Sequence, residues 1–327
     1  MKTSEFSSIA RGFLGSLPAH ISQTVKCDEP LSSYTSLRVG GPADLYYRAL
    51  CSDDLAIITA TAQRLGLPYF LLGGGSNVCI SDKGIRGLVI HNACENCEIG
   101  EITRVDSGYP FMQLFLKTAE AGFTGLEFAV GIPGTVGGAL VSNAGAYRQN
   151  ISDLVIGLDV VENGERMYVN PEWMGFSYRD SRLRRGGEPA TVITVSLQLK
   201  RAERIDIMSL ARENQNQRIY KQPWYPSAGS FFKNIDDRDL ADRLPDLPVT
   251  MKLAGVVPAG YINSACGLKG LTVGGAELST RHANFIINRG EATASDIRNL
   301  AQLIKQRVYE SYGVTLQEEA LYVGDWE

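Results

Sequence analysis

Hydrophobic and polar positions between residues 53 and 80 follow one helical pattern and then two short apolar runs. Acidic residues open the predicted helix at positions 53 and 54, Gly66 ends it, and its apolar face carries Leu55, Ile58, Ala62 and Leu65. Residues 68–72 are typical of a buried strand, and residues 78–80 continue as a second strand. The five residues between them are Gly-Gly-Gly-Ser-Asn. This pattern predicts a helix, a strand, a glycine loop and another strand.

The chain from residue 105 to 201 predicts a second unit. We expect a helix over 111–121, a glycine-rich passage over 131–145, and strands over 155–161 and 191–199. The last strand places Ser196 and Gln198 between apolar neighbours, as a half-buried sheet requires.

A third unit is predicted after a polar helix over 205–219 and a proline-marked junction at 221–226. Its clearest helix covers 295–312. We expect Ser295 to be the N-cap of this helix, and Gly313 lies just past its end.

Composition narrows the class of protein. The 327 residues suffice for two or three domains with real cores, and a net charge of −4 with 44% hydrophobic and 21% charged residues is that of an ordinary globular protein. Intrinsic disorder and nucleic-acid binding are therefore not expected. The 34 glycines are the real excess, since about 7% is usual.

Metal and membrane sites are not expected. The three histidines, His20, His91 and His282, lie far apart in the sequence. No cysteine or carboxylate pair lies at metal-ligand spacing around any of them. Cys94 and Cys97 form a lone CxxC, which we interpret as two structural or incidental thiols. The first twenty residues lack the apolar core of a signal peptide, and no run approaches the ~18 apolar residues of a membrane span. We therefore expect the protein to lie in a reducing cytoplasm.

The glycines form two motifs. The first glycine motif, residues 73–77, offers consecutive backbone N–H groups that can hold an anion such as a pyrophosphate, although such a sequence is also common in tight turns. The second glycine motif, residues 131–145, contains Gly-Ile-Pro-Gly-Thr-Val-Gly-Gly and Asn-Ala-Gly, so its backbone is expected to wrap a ligand or another backbone. Neither is a Walker loop or a dinucleotide GxGxxG.

These motifs, together with Tyr-Thr-Ser-Leu-Arg-Val-Gly-Gly-Pro-Ala-Asp at 34–44, resemble the UDP-N-acetylenolpyruvoylglucosamine reductase family, in order from about residue 31 to 324. The resemblance implies an α+β fold, with two FAD-binding subdomains of the vanillyl-alcohol-oxidase type and a C-terminal α+β substrate domain that closes the substrate site. The implied boundaries are an N-terminal lead at 1–30, the subdomains at 31–104 and 105–204, and the substrate domain at 205–327.

The resemblance also implies an FAD-dependent oxidoreductase. NADPH would reduce the flavin, and the reduced flavin would reduce the enolpyruvyl group of a UDP-sugar to give UDP-N-acetylmuramate. This is a step of peptidoglycan precursor synthesis in the cytoplasm, and thus of cell-wall biogenesis, cell shape and cell division. No nucleic-acid partner and no membrane insertion are implied.

The family motifs assign residues to this chemistry. Those implied to hold FAD are Gly73, Gly74, Gly75, Ser76, Asn77, Gly131, Ile132, Pro133, Gly134, Thr135, Gly138, Asn143 and Gly145. Those implied to hold the substrate are Tyr178, Lys221, Asn234 and His282.

Three residues are implied to be catalytic. Arg179, in Tyr-Arg-Asp-Ser, would pair with the substrate carboxylate, and Ser230, in Ser-Ala-Gly-Ser-Phe-Phe-Lys-Asn, would donate the proton. Glu319 would face the flavin from a terminal strand, with Glu318 pointing the other way. By pattern alone, the same residues are also typical of an exposed arginine, a turn serine and a solvated acidic pair.

The chain departs from the family pattern at four positions. Leu321 replaces a usual arginine, Gln317 a common glutamate, Ile235 a proline, and Val256 a frequent lysine. The short link from 181 to 191 leaves no room for the extra tyrosine-bearing loop of one branch of the family. A flavin oxidase on the same framework and a non-catalytic flavin-binding protein remain alternatives.

Overall fold

The computed structural model describes residues 3–219 and 222–326. The α-helices in these residues are α1 (Thr3–Ser16), α2 (Ala19–Ser22), α3 (Ser52–Arg64), α4 (Phe111–Glu120), α5 (Val136–Val141), α6 (Arg182–Arg185), α7 (Arg204–Ile219), α8 (Arg238–Arg243), α9 (Val249–Ala254), α10 (Ala259–Ala265) and α11 (Ala294–Tyr312). The strands are β1 (Lys26–Pro30), β2 (Pro42–Ala49), β3 (Tyr69–Leu72), β4 (Val78–Ile80), β5 (Ile85–Asn92), β6 (Cys97–Glu98), β7 (Ile102–Asp106), β8 (Phe123–Thr124), β9 (Gly145–Ala146), β10 (Gln149–Asn150), β11 (Val155–Glu162), β12 (Glu165–Val169), β13 (Ala190–Gln198), β14 (Lys200–Arg201), β15 (Ile235–Asp236), β16 (Val256–Val257), β17 (Thr272–Val273), β18 (Ala276–Leu278), β19 (Ile286–Asn288) and β20 (Leu321–Val323).

The chain divides into two compact units. Unit 1 contains Met1–Glu29, Ala43–Gly74 and Ile85–Tyr220, and unit 2 contains Pro30–Pro42, Gly75–Gly84 and Lys221–Glu327. Two segments that the sequence places in the first flavin-binding subdomain therefore belong to the same compact unit as the C-terminal region. The predicted domain boundaries follow family function rather than compactness, and they stay a prediction.

Unit 1 contains two sheets that share a core around one helix. The first has the strand order β1-β2-β5-β3, in which β2 and β3 both run parallel to β5. Helix α3 begins with two acidic residues in its first turn, which the N-terminal end of the helix dipole favours. Its buried Leu55 and Ile58 pack with Leu88 of β5 and with Ile193 of the second sheet.

The second sheet of unit 1 has the order β12-β11-β13-β7-β6, with each neighbouring pair antiparallel. Helix α4 supplies Phe111, Leu114 and Phe115 to the core beneath this sheet, and all three are buried. This mixture of helices with largely antiparallel sheet confirms the α+β class.

Unit 2 is built on α11 and the antiparallel sheet β17-β18-β19. One face of α11 is buried at Ile297, Leu300, Ala301, Ile304 and Val308, as its sequence pattern predicts. In the same unit, β20 pairs in parallel with β4, which joins the C-terminal end of the chain to the strand after the first glycine motif.

Most of the predicted long elements are confirmed, but two local predictions are wrong and one short helix was not predicted. Leu65 is 41% exposed because it follows the last helical residue of α3 and no longer lies on the buried face. The N-cap of α11 is Thr293, whose Oγ1 accepts from the Asp296 N–H at 3.0 Å, whereas the Ser295 hydroxyl donates to Asp82. Helix α5 lies inside the glycine-rich passage, where no helix was expected.

No helix of residues 3–219 and 222–326 is long and apolar enough to cross a membrane.

Candidate active site

The two glycine motifs contact each other in unit 1. A Cβ on Gly74 would lie 2.7 Å from Gly134 Cα, and a Cβ on Gly73 would lie 2.5 Å from Thr135 Oγ1. No side chain fits in such a space, so glycine is needed here for backbone approach. The second motif therefore packs against another backbone, which was one of the two expectations for it.

Residues 75–77 of the first glycine motif belong to unit 2. Gly75 has φ +59°, and a Cβ on it would overlap the Tyr34 carbonyl oxygen. The Ser36 N–H donates to the Gly75 carbonyl at 3.0 Å, and the Ser36 hydroxyl donates to the Ser227 carbonyl at 2.6 Å. The motif at 34–44 thus packs around Gly75, a contact that the sequence does not reveal.

The first motif has the donor groups that a pyrophosphate needs. Among the described residues, the N–H groups of Gly74 and Gly75 have no hydrogen-bond acceptor. Gly74, Pro133 and Gly138 are exposed, while Gly73, Gly131, Ile132, Gly134 and Thr135 are half-buried. Exposed glycine backbone, as at Gly74 and Gly138, can approach a phosphate without a side chain in the way, whereas Gly75 is buried.

Helix α5 gives the second motif a fixed shape. The Thr135 side chain caps it by accepting from the Gly138 N–H at 3.3 Å, and the Gly137 N–H donates to the Ser107 carbonyl at 2.6 Å. The motif then ends in a hairpin of β9 and β10, whose two turn residues, Tyr147 and Arg148, both have positive φ.

Arg179 is held by the end of the second motif. Its Nη1 donates to the Asn143 carbonyl at 3.3 Å, and its Nη2 donates to the Gly145 carbonyl. The residue has φ +53° and is half-buried, with its guanidinium 5.5 Å from the ring centroid of Tyr178, which is 60% exposed. An ordinary exposed arginine was the alternative, whereas Arg179 is half-buried with its guanidinium on two carbonyls.

The segment around Arg179 is a tight turn, which we call the arginine turn (residues 177–180). Ser177 and Asp180 exchange backbone hydrogen bonds of 3.1 and 3.2 Å. Asp180 accepts from Arg185 at 2.7 Å, and the fully buried Ser181 donates its hydroxyl to the Val141 carbonyl at 2.7 Å. The serine of the family's motif therefore has a structural contact that fastens the turn to the second glycine motif.

Unit 2 brings Ser230 and Glu319 onto neighbouring segments. Ser230 is half-buried and lies between Gly229, with φ +75°, and Phe231. The Phe231 N–H donates to the Asn284 carbonyl at 2.7 Å, and the Phe231 carbonyl accepts from the Glu319 N–H at 2.8 Å. Main-chain pairing thus places the residue after Ser230 directly against Glu319.

The two neighbouring glutamates have different environments. Both carboxylate oxygens of Glu318 accept from Lys305 Nζ of α11, at 2.9 and 3.0 Å. Glu319 is half-buried in a bend, and its carbonyl accepts from Asn77 Nδ2 at 3.1 Å. The expected terminal strand begins only at Leu321, although Glu318 makes an isolated bridge with Phe232.

Of the four residues implied for the substrate, Lys221 lies outside the described residues. Asn234 is exposed, and its Oδ1 accepts from the Ala259 N–H at 3.3 Å. His282 Nδ1 accepts from the Asn284 N–H at 3.2 Å, and its ring packs edge-on to Phe285. The fourth, Tyr178, lies in the arginine turn of unit 1.

Asn284 is a residue that the sequence reasoning missed. Its Oδ1 accepts from the Phe232 N–H at 3.0 Å, and its Nδ2 donates to the Phe232 carbonyl at 2.9 Å. This pair of bonds fixes the segment that follows Ser230. The two residues lie 52 positions apart, so no local sequence signal indicates the contact.

The four residues that are predicted to depart from the family pattern all lie at positions with main-chain contacts. The Gln317 carbonyl accepts from the Lys233 N–H, and the Leu321 N–H donates to the Asn77 carbonyl at 3.0 Å. Ile235 and Val256 both belong to the two-stranded ladder of β15 and β16. The Ile235 side chain also packs against the hydrophobic core of unit 2.

The cysteines of the CxxC are free thiols. Cys94 is fully buried, and burial raises the pKa of its thiol to about 12, while burial also raises the pKa of Cys97. Such thiols are poor nucleophiles and poor metal ligands at neutral pH. The described part of the chain contains no group of three or more His, Cys, Asp or Glu residues suited to a metal ion.

The chain is similar to known proteins over most of its length. Residues 220–323 match the model of the UDP-N-acetylenolpyruvoylglucosamine reductase C-terminal domain, and residues 43–168 match the model of an FAD binding domain. The UDP-N-acetylenolpyruvoylglucosamine reductase of Anoxybacillus flavithermus is 37% identical over 307 residues, which cover 92% of this chain and 95% of that protein. That of a Synechococcus species is 37% identical over 318 residues, 94% of each chain.

A solved structure agrees with these sequence matches. The crystal structure of the UDP-N-acetylenolpyruvylglucosamine reductase MurB from Thermus caldophilus superposes with a TM-score of 0.73 at 33% identity. The match covers 91% of this chain and 98% of that one. The match agrees with the predicted α+β fold class.

Proposed function

The chain belongs to the UDP-N-acetylenolpyruvoylglucosamine reductase family, and we propose that it catalyses the NADPH-dependent reduction of the enolpyruvyl group of a UDP-sugar to UDP-N-acetylmuramate through bound FAD. This reaction completes a precursor of peptidoglycan. The same enzyme would thereby serve cell-wall biogenesis, cell shape and cell division.

One observation supports the proposal most strongly. The Arg179 guanidinium is held by carbonyl groups of Asn143 and Gly145, which end the glycine motif suited to line a flavin. A permanent positive charge is thus fixed beside the proposed cofactor surface. An arginine in that place can bind a substrate carboxylate bidentately, because its fork of donors is rigid.

Bound FAD would supply a hydride, taken first from NADPH, to the terminal vinyl carbon of the substrate. The other vinyl carbon then carries negative charge that is shared with the adjacent carboxylate. Arg179 would stabilise this charge as it develops, which is worth more in a site that excludes water than in bulk solvent.

Ser230 would donate the proton that this carbon needs. A hydroxyl is a weak acid, but the acceptor is a much stronger base, so a well-placed O–H suffices. Glu319 would orient the substrate or its proton donor, a role supported by the main-chain bond between Glu319 and the residue after Ser230.

The UDP part of the substrate would be held by Lys221, Asn234, Tyr178 and His282. An ammonium group and an amide donor suit the nucleotide phosphates, while an exposed tyrosine and an imidazole suit polar groups of the sugar or base. We place the reaction in the cytoplasm. The free cysteines of the described chain are compatible with this reducing compartment.

The test is a pair of half-reactions without oxygen. The purified chain should be yellow from bound FAD, NADPH should bleach it, and the enolpyruvyl UDP-sugar should restore the colour. UDP-N-acetylglucosamine, which lacks the vinyl group, is the matched control and should leave the flavin reduced. The proposal fails if only oxygen restores the colour, as for a flavin oxidase, or if the chain binds no flavin.

A further inference from the structure

We propose that Asn143 and Asn77, the asparagines of the two glycine motifs, are positioning residues for catalysis: Asn143 fixes Arg179, and Asn77 fixes Glu319. This inference rests on the proposed function, because it assumes the roles given above to Arg179 and Glu319. Family resemblance implies that both asparagines hold FAD. Their side chains are hydrogen bonded to backbone groups of the protein.

Asn143 is buried, with 6% of its surface exposed, and it uses both ends of its side-chain amide on the backbone. Its Nδ2 donates to the Ser177 carbonyl at 3.0 Å, and its Oδ1 accepts from the Ser152 N–H at 3.3 Å. Its own carbonyl accepts from Arg179 Nη1 at 3.3 Å. One residue therefore contacts both the start of the arginine turn and the guanidinium of Arg179.

The backbone of this region needs such support. Asn143 has φ +41° and Arg179 has φ +53°, conformations that side-chain-bearing residues adopt at an energetic cost. A strained conformation persists only where its surroundings fix it. The Asn143 side chain is one such constraint, and the Ser181 bond to the Val141 carbonyl is another.

Asn77 makes the corresponding contacts in unit 2. Its Nδ2 donates to the Glu319 carbonyl at 3.1 Å, and its carbonyl accepts from the Leu321 N–H at 3.0 Å. The residue directly precedes β4, which pairs with β20 from Leu321 onward. Asn77 therefore spans the bend that carries Glu319 and continues the ladder across it.

Asparagine is required in both places because the bond runs from a side-chain donor to a backbone carbonyl. Aspartate has nearly the same shape and tolerates positive φ, but its carboxylate has no proton to donate and would face a carbonyl oxygen. Asn143→Asp and Asn77→Asp thus remove the proposed function of each side chain with little change of volume.

The first experiment measures both half-reactions in the holoenzyme with Asn143→Asp. We expect FAD content and NADPH bleaching within about twofold of the unmodified chain, and recolouring by substrate slowed about 10- to 100-fold, because misplacement by about 1 Å can have this effect. Asn143→Gly keeps the positive φ accessible and should show the same slowing of recolouring as Asn143→Asp. If the aspartate variant does not fold, the glycine variant alone decides.

Asn214→Asp is the matched control. Asn214 is also a buried asparagine of unit 1, 4% exposed, and its Nδ2 donates to the Glu127 carbonyl at 3.3 Å. It makes no hydrogen bond to the arginine turn, so its substitution should lower thermal stability without a selective loss of recolouring. If Asn214→Asp slowed recolouring as selectively as Asn143→Asp does, general loosening of the fold would explain both effects. That result would overturn the inference.

The decisive readout is a double-mutant cycle with Arg179→Lys. If Asn143 acts through Arg179, Asn143→Asp should slow recolouring far less in the Arg179→Lys chain than in the unmodified one. Multiplicative losses would contradict a positioning role. Loss of FAD from Asn143→Asp would instead favour direct cofactor binding, and would likewise overturn the inference.

Asn77→Asp is tested in the same way against Glu319→Gln. Its control is Asn288→Asp. Asn288 is a buried asparagine of unit 2, whereas Asn77 is half-buried, and the Nδ2 of Asn288 donates to the Leu37 carbonyl at 2.9 Å. We expect Asn77→Asp to slow recolouring selectively and non-additively with Glu319→Gln. We expect neither effect from Asn288→Asp. The unmodified chain, measured alongside, separates failure of the proposed function from failure of this inference. If the unmodified chain is not recoloured by substrate, the proposed function fails. If it is recoloured but the variants are not selectively slowed, only this inference fails.

Discussion

The region around Arg179 in unit 1 and the region around Ser230 and Glu319 in unit 2 are held in place by different combinations of side-chain and main-chain bonds. Arg179 depends on side chains: Asn143 and Ser181 hold its turn, and its own guanidinium binds two carbonyls. Ser230 and Glu319 depend on main-chain pairing through Phe231, to which the side chains of Asn284 and Asn77 add bonds. The first region should therefore be sensitive mainly to residue identity, whereas the second should be sensitive to backbone geometry and to these two asparagines.

The four predicted departures from the family pattern, Gln317, Leu321, Ile235 and Val256, all lie in unit 2. Each position has a main-chain contact, and the Ile235 side chain also packs against the hydrophobic core. Main-chain contacts do not depend on the side chain, so they are compatible with a different residue at each of these positions.

The largest expected effect is that of Ser230→Ala. Recolouring by substrate should slow about 10²- to 10⁴-fold through loss of the proton donor, while bleaching by NADPH should change less than about twofold. Because main-chain bonds hold this segment, folding and FAD content should be unchanged. Ser264→Ala, at another half-buried serine of unit 2, is the control and should affect neither step. Equal loss in both half-reactions would show that Ser230 has another role.

Arg179→Lys tests the region held by side chains. Lysine keeps the charge but cannot span the two carbonyls of Asn143 and Gly145, so recolouring should slow about 10²- to 10³-fold. Stopped-flow absorbance of the flavin would measure it. Activity within tenfold of the unmodified chain would mean that charge alone suffices and that the fixed fork does not matter.

Gly75→Ala tests whether backbone approach sets the geometry of unit 2. The new Cβ would overlap the Tyr34 carbonyl oxygen, and φ is +59°. Gly267→Ala is the matched control, with φ +68° and no atom within 4 Å of the new Cβ. The control should cost about 1 to 2 kcal/mol of unfolding free energy, and Gly75→Ala at least about 1 kcal/mol more. Equal denaturant midpoints would contradict the close approach.

The smallest effects are expected from Leu321→Arg and Val256→Lys, which restore the residues usual in the family. Both side chains are half-buried, and neither provides the bonds that fix Glu319 or Asn234. Turnover should change less than about threefold, as for ordinary substitutions outside critical contacts. A tenfold gain in kcat/KM would show that side chains, as well as backbone, tune this region.

Sequence periodicity predicted the long elements well because their apolar faces are local patterns. The buried stripe of α11 and the alternation at Ser196 and Gln198 are such cases. Helix α5 was missed because its six residues include two glycines, and its cap and its bond to Ser107 come from the folded context. The cap of α11 was misplaced by two residues, because serine is preferred to threonine as an N-cap by residue type, whereas the capping bond of the folded chain is made by Thr293.

The candidate site was predictable only in part. Motifs selected the residues, but the partners of those residues are distant in sequence: Asn77 and Glu319 lie 242 positions apart, and Asn143 and Ser177 lie 34 apart. A glycine motif by itself cannot show whether its asparagine side chain holds a phosphate or a protein carbonyl. That distinction required the folded chain.

The most direct test of the central claim is a single turnover of the unmodified chain without oxygen. The FAD-loaded protein is reduced with one equivalent of NADPH, separated from the nicotinamide, and mixed with excess enolpyruvyl UDP-sugar while flavin absorbance and product are both measured. We predict complete return of the oxidised flavin spectrum and about one UDP-N-acetylmuramate per flavin, in accordance with the two electrons transferred. Reduced flavin that persists until oxygen is admitted, with no UDP-N-acetylmuramate formed, would contradict the account.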